Sequence, residues 1–380
     1  MRLIRLAILF MLSSCYYSSY SQELINDYQI KFKRNYKTIL YDMDTNNLPD
    51  DPRKTYTAVL NDIEKVAVFH TNGIHIEAKL LDNQLQVIDS YSLKKPQANY
   101  NRLLGHSISD AIFLWYSNSK QNKVQAVKVD FANASDSFKE MEIPFKKEKY
   151  LLSFSHNNMF YILMIRKNKS VLNLYEFTDE TNFSNFTIDL SEYNFTNDKF
   201  PQLYHALYDI EQSPLSFDAN FAFLDQSIPN YLSSAARKNK AMIENNKLYL
   251  IIDNTLLTSR VVAIDLAIKN ATVKTLTQEV SNCNNQKTLS NSIVYGGNLF
   301  QIGACKSYIN LIVRDLVTNA EVVSYIINES ETVFPNTIYD QSGGLTNYSI
   351  ESVVDKKSLC RNCRKTKLVY CYMIAAVIWN

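Results

Sequence analysis

Residues 150–190 read YLLSFSHNNMFYILMIRKNKSVLNLYEFTDETNFSNFTIDL, and this stretch decides the fold class. Leu151-Leu152-Ser153-Phe154 is strand-like and His156-Asn157-Asn158 is a turn. Met159 to Ile165 is an unbroken apolar run, and Lys167-Asn168-Lys169 turns again. Val171 to Phe177 alternates, and Phe186 to Leu190 supplies a fourth strand. Short runs rich in β-branched and aromatic residues, broken by Asn and Lys, predict a β-meander.

The same plan recurs outward in both directions. Ala111 to Tyr116, a polar turn at Asn118 to Lys123 and Val124 to Phe131 repeat it upstream, and Val66 to Leu93 fits with turns at Thr71-Asn72-Gly73 and Asp82-Asn83. Downstream, Leu248 to Ile252, Arg260 to Leu266 and Thr272 to Leu276 form one copy. Leu299 to Ile302, Tyr308 to Leu316 and Glu321 to Ile326, after a turn at Gly296-Gly297-Asn298, form another. An acid near the end of the third strand serves as a ruler, at Asp89, Asp130, Glu176, Asp265 and Asp315. It reads most simply as a turn-former. The gap from Glu176 to Asp265 is close to two periods, which predicts a degenerate copy at Phe221 to Asp225.

A repeat in the forties with several strands per unit marks a β-propeller. The fold expected is therefore all-β, a propeller of six or seven four-stranded blades within residues 22–357. Tandem β-sandwiches are the rival, since they too show short, regularly spaced strands. Tyr28 to Asp44 is a candidate for the strand that closes the ring. Residues 191–246 depart from the plan, with Phe200-Pro201, Ser213-Pro214, Ile228-Pro229 and a helical pattern at Tyr231 to Lys240. They read as a damaged blade with an inserted loop, and loops of this length are often functional. Only 7 Gly in 380 residues is low for so many tight turns and counts against the propeller, although Asn can occupy the left-handed positions instead.

The totals suit a globular protein: 46% hydrophobic, 21% charged, with 25 Tyr and 19 Phe that favour pleated, half-buried surfaces. Net charge is +2, but its distribution is uneven. Residues 1–21 hold two of the 40 basic residues and residues from Lys356 on hold six, with no acid in either. The body, 22–355, therefore carries 32 basic against 38 acidic residues. A mildly acidic body without a basic stripe argues against a nucleic-acid partner.

Met1 to Arg5 is a positive segment, Leu6 to Leu12 an apolar run and Ser13 the start of small and polar residues. That order predicts a signal peptide over 1–21 and hence export to the periplasm, the outer membrane surface or the exterior. Ser19-Tyr20-Ser21 before Gln22 offers one cleavage site. Leu12-Ser13-Ser14-Cys15 offers another, as a lipobox in which Cys15 is lipidated and becomes the only link to a membrane. The Ser-Gln ending, the abundant Asn and Lys and the propeller-like repeat resemble exported proteins of Bacteroidetes.

Six cysteines do not make a disulfide scaffold. Cys283 and Cys305 are the candidate pair in an oxidising compartment; two buried thiols are the alternative. Cys360-Arg361-Asn362-Cys363 with Cys371 gives three ligands where a structural zinc needs four, so the tail 358–380 reads as a solvated basic segment. A shifted reading frame from Lys357 onward is a further reading of that tail. Gly105-His106-Ser107-Ile108-Ser109 lacks the last glycine of a nucleophile elbow and reads as a blade-entry turn. The five histidines show no metal spacing, although His70, His106 and His156 fall at similar repeat positions.

No catalytic residue, cofactor or metal ligand is predicted. The function expected is a binding or scaffolding module of the cell envelope with a protein or glycan partner. The alternative is a secreted, glycosidase-like hydrolase with carboxylates converging in the central channel. Two or more acids with raised pKa would mark the enzyme.

Overall fold

In the computed structural model the described residues are 53–60, 64–72, 76–93, 99–141, 143, 147–196, 200–208, 221–224, 230, 232–235, 237–253, 258–278, 289–304, 308–328, 339–343 and 349–353. They fall into two compact units, 1–141 and 142–380.

In the first unit, β1 (Arg53–Leu60), β2 (Lys65–Asn72), β3 (Ile76–Leu81) and β4 (Val87–Leu93) pair in sequence order as one antiparallel sheet. A second sheet follows the same plan with β5 (Arg102–Ile108), β6 (Ile112–Ser117), β7 (Val124–Asp130) and β8 (Ser135–Met141). In the second unit, β9 (Glu148–His156), β10 (Met159–Arg166), β11 (Val171–Phe177) and β12 (Phe183–Asp189) form the third sheet. The helix α1 (Leu203–Leu207), the strand β13 (Ala222–Leu224) and the helix α2 (Leu232–Ala235) come next. The fourth sheet is β14 (Asn239–Glu244), β15 (Lys247–Ile252), β16 (Thr258–Asp265) and β17 (Asn270–Thr277), with β13 on its edge. The fifth is β18 (Leu289–Tyr295), β19 (Asn298–Ala304), β20 (Tyr308–Asp315) and β21 (Glu321–Asn328). A two-stranded sheet of β22 (Tyr339–Gly343) and β23 (Ser349–Val353) ends the described chain. The fold class is thus all-β, assembled from the four-stranded meanders that are propeller blades.

Burial explains the apolar runs. The second strands β6 and β10 are buried at nearly every position, whereas the fourth strands β4 and β8 are mostly exposed. Alternate residues of a strand face opposite sides. In β15, Leu248, Leu250 and Ile252 join the core shared with the third sheet, while Tyr249 and Ile251 join the core shared with the fifth. The fourth sheet therefore has a hydrophobic core on each face. A two-layer sandwich cannot supply that arrangement, so the sandwich alternative is set aside. In the first unit, Ala58, Ala67 and Phe69 pack with Leu114, Val127 and Val129 in the equivalent way.

Asparagine takes left-handed turn positions where glycine is scarce. The turns β9–β10 and β14–β15 place Asn157, Asn158, Asn245 and Asn246 at positive φ, and β18–β19 uses Gly296 and Gly297. Two-residue hairpins with both residues left-handed match the twist of the flanking strands. A Cβ at Gly296 or Gly297 would meet nothing, so only the φ requirement explains glycine there.

The acid ruler needs correction. Asp130, Asp265 and Asp315 do end third strands, and each is followed four residues on by a left-handed residue, Ala134, Lys269 or Asn319. The Asp265 carboxylate accepts the N–H of Ala267 and Ile268 at 3.0 and 3.1 Å. The Asp315 carboxylate accepts those of Val317 and Thr318 at 2.9 and 2.6 Å. In the first sheet, however, Asp89 lies within the fourth strand, because β1 precedes the strand taken as first. The turn acid there is Asp82, which accepts the N–H of Gln84 and Gln86. In the third sheet it is Asp179, not Glu176.

The strand expected near residue 220 exists but is not the core of a separate sheet. Among the described residues, β13 runs parallel to β14, with Ala222, Phe223 and Leu224 opposite Lys240, Ala241 and Met242. It extends the fourth sheet.

Candidate functional site

Among the described residues of the segment between the third and fourth sheets, several are tied by hydrogen bonds to the strands around them. Asn239 Nδ2 donates to Ala206 O at 3.0 Å, and Arg260 Nη1 donates to Phe195 O at 3.3 Å. Lys240 Nζ donates to Arg237 O at 2.5 Å, and Asn291 Nδ2 to Ala235 O at 3.1 Å. Tyr208 Oη donates to Tyr150 O at 2.6 Å. Asn239, Lys240, Arg260 and Asn291 are all buried. A helix of four or five residues has no stability of its own. These bonds, with Leu203, Tyr204 and Leu207 packed into the third-sheet core, fix the segment instead. On its surface Phe200 is 53% exposed, its ring 4.9 Å from that of His205.

Beneath the segment the fourth and fifth sheets enclose a polar cluster. Asp253 follows the last residue of β15 and is fully buried. Its Oδ1 accepts the Ser292 hydroxyl at 3.0 Å and Gln278 Nε2 at 3.3 Å. Ser259 and Ser292 share a hydrogen bond of 2.8 Å, and Gln278 and Gln301 both donate to Ser259 Oγ, at 2.6 and 3.0 Å. With the Ser292 proton directed at Asp253, Ser259 is left as the donor to Ser292. Burial pushes the Asp253 carboxyl up, against the pull of the Lys240 ammonium. Lys240 in turn donates to the Asn291 side chain on β18.

The other shifted acids of the described residues sit at turns or in surface pairs and move the opposite way. Lys128, donating to Asp110, holds that carboxyl down, and Asn133 does the same for Asp130. Burial would raise Asp179, but bonds from Thr181 and Asn182 hold it down at about 2. A shallow polar groove of about 170 Å³ lies beside Asp189, Glu192, Tyr193, Lys269 and Asn270.

Cys15, Cys283, Cys305, Cys360, Cys363 and Cys371 lie outside the described residues, as do the leader, Tyr28 to Asp44 and His75. Gly105 to Ile108 is strand, not a blade-entry turn, and Ser107 is fully buried beneath Trp115, whose Nε1 donates to its hydroxyl at 2.9 Å. His106 and His156 lie on first strands, but His70 lies on the second strand of its sheet, so the three do not share a repeat position. Among the described residues no three His, Cys, Asp or Glu gather as a metal site, and no helix is long and apolar enough to cross a membrane. The Asp253 cluster was not foreseen. Its members come from five segments, and only the isolated acid after the apolar run Leu248 to Ile252 hinted at it.

No family model and no curated protein matches the chain. Solved structures similar to it include apo AztD from Citrobacter koseri, 8% identical over 71% of this chain and 69% of that one, with a TM-score of 0.32. A protein from Lactobacillus plantarum is 8% identical over 79% of this chain and 83% of its own, at 0.33. Dihydro-heme d1 dehydrogenase NirN in complex with DHE is 9% identical over 72% of this chain, at 0.34, and the chain spans 47% of that protein's length. None of these likenesses bears on function.

Proposed function

We propose that this propeller-bladed chain is an exported binding or scaffolding protein of the cell envelope that takes a protein or glycan partner. The observation that carries the reading is the clamped segment between the third and fourth sheets. It is held by buried side chains yet displays an exposed aromatic ring, Phe200. A preorganised aromatic lowers the ordering cost of association. The carboxylates support the same reading. Asp110, Asp130 and Asp179 are engaged by Lys128, Asn133 and Asn182, and Asp253 is sealed among Ser and Gln side chains.

The test is capture from envelope extracts by the tagged protein, paired with a glycan array, using the wild type and Phe200→Ala. Capture or array binding that Phe200→Ala weakens about tenfold or more supports the reading. Hydrolysis of a polysaccharide panel, lost in Asp253→Asn, overturns it in favour of the hydrolase. Export is tested separately by the mass of the mature N-terminus. Lipidated Cys15 means a tethered protein and Gln22 a free one, whereas an intact Met1 leader rules export out.

A further inference from the structure

We propose that the polar layer between the fourth and fifth sheets is a buried site for a monovalent metal cation, sodium or potassium, held by oxygens of Asp253, Gln278, Gln301 and Ser290. The layer continues the apolar interface between those sheets. Alternate residues of a strand share a face. Each member lies two positions from a core residue: Asp253 from Ile251, Ser259 from Val261, Gln278 from Leu276, Ser292 from Val294 and Gln301 from Leu299. Ser290 stands two positions before Ser292 on β18. Apolar side chains at these positions would extend the core, and replacing buried charge in that way is often neutral or stabilising. The chain places polar groups there instead, on or just beyond β15, β16, β17, β18 and β19.

The hydrogen bonds of the layer leave one kind of atom over. Ser259 donates to Ser292, and Ser292 donates to Asp253 Oδ1. Gln278 and Gln301 both donate to Ser259, which fills its two lone pairs. Gln278 also donates to Asp253 Oδ1. Asp253 Oδ2, Gln278 Oε1, Gln301 Oε1 and Ser290 Oγ are sealed from solvent and have no hydrogen-bond partner. All four are oxygens, and three of them only accept when Asp253 is ionised. The residues that carry them are at most 4% exposed. A buried polar atom left without a partner is costly.

The count of these atoms selects the occupant. A proton on Asp253 supplies one donor and a water two, whereas a cation engages every oxygen it touches. Hard cations take carboxylate and carbonyl oxygens as ligands. One carboxylate balances one positive charge, which favours a monovalent ion over calcium or magnesium. Lys240 does not fill that role. Its ammonium donates to Arg237 O and to the Asn291 side chain, and its pull on Asp253 is outweighed by burial. The ion and a proton therefore compete for the same carboxylate.

Urea unfolding of the full chain at constant ionic strength, in sodium, potassium or N-methylglucamine chloride, tests this. Sodium or potassium is expected to raise the midpoint above that in N-methylglucamine, which is too large to enter the layer. The effect is expected to saturate, multiplying the folding constant about a hundred-fold when the ion stands at about 100 times its Kd. Asp253→Asn and Gln301→Leu are each expected to abolish the difference between salts. Asp110→Asn, at an acid with a 68% exposed side chain, is expected to keep it. Sodium NMR gives a second reading, a broadened signal with the wild type and a narrow one with Gln301→Leu. A circular-dichroism spectrum matching wild type shows that the variants are folded. Equal midpoints of the wild type in all three salts, as when water or a proton completes the layer, overturn the proposal. So does a difference between salts that Asp253→Asn and Gln301→Leu both retain.

Discussion

The Ser292 hydroxyl reaches the Asp253 carboxylate at 3.0 Å across the interface between the fourth and fifth sheets. Thirty-nine residues separate the two in sequence. This bond and its neighbours place a titratable group inside the packing of two blades, where its protonation bears on stability.

Burial raises the Asp253 carboxyl above its unfolded value, so folding favours the protonated form. The contribution to stability is then fully present below the unfolded value and declines as pH rises through the folded one. Asp253→Asn keeps the shape without the charge and is expected to remove that decline. Asp253→Ala removes the acceptor of the Ser292 hydroxyl and one of the two acceptors of Gln278 Nε2, and is expected to cost about 1–3 kcal/mol. Urea unfolding of the wild type and both variants across a pH series measures the effect. Parallel pH profiles for wild type and Asp253→Asn would refute it.

His106 carries the opposite sign. Burial lowers its imidazole to about 4, and its Nδ1 lies 3.1 Å from Tyr56 Oη. A depressed pKa gives stability that is present above the unfolded value of about 6.5 and is lost as pH falls through the folded one. The window is therefore roughly pH 6.5 down to 4, and the full loss is at most about 3 kcal/mol. His106→Gln is expected to flatten the unfolding midpoint over that window. The histidine signals followed by NMR give its pKa directly.

Leu250 is fully buried in the core between the third and fourth sheets. Leu250→Ala is expected to cost about 2–5 kcal/mol. Ile268 is 71% exposed at the β16–β17 turn. Ile268→Ala is expected to stay within about 0.5 kcal/mol of wild type. Guanidinium unfolding of the pair distinguishes stacked sheets from separate ones, since a sheet with one bare face would feel the Leu250 change far less.

Glu244, the last residue of β14, accepts the backbone N–H of Gly296 at 2.6 Å and of Gly297 at 3.0 Å. One turn is thereby latched to the next sheet's turn. On the neighbouring side, His156 Nε2 lies 2.7 Å from Asn246 Oδ1. Glu244→Ala is expected to speed hydrogen exchange at the Gly296 and Gly297 amides while leaving the β19–β20 ladder unchanged. Uniform acceleration through the fifth sheet would mean that the latch holds the blade and not merely the turn.

What the sequence determined by itself was local. Strand positions followed from period-two and continuous apolar runs, as at Met159 to Ile165, because side-chain alternation is set by the backbone. The turn at Asn157-Asn158, and Asp-closed turns after Asp265 and Asp315, followed from residue chemistry acting over two to five positions. A weakly patterned strand is not legible in this way. β1, with Arg53 and Lys54 at its start, carries too little pattern to announce itself, so the repeat ruler falls on Asp89 where the turn acid is Asp82. Only the tertiary structure decided which edge β13 joins, since a three-residue strand carries too little pattern to specify its partner. The same holds for the Asp253 cluster. Asp253, Ser259, Gln278, Ser292 and Gln301 have no common spacing, and each alone is unremarkable. Stacking of the fourth and fifth sheets brings them together, and burial then makes their hydrogen bonds obligatory.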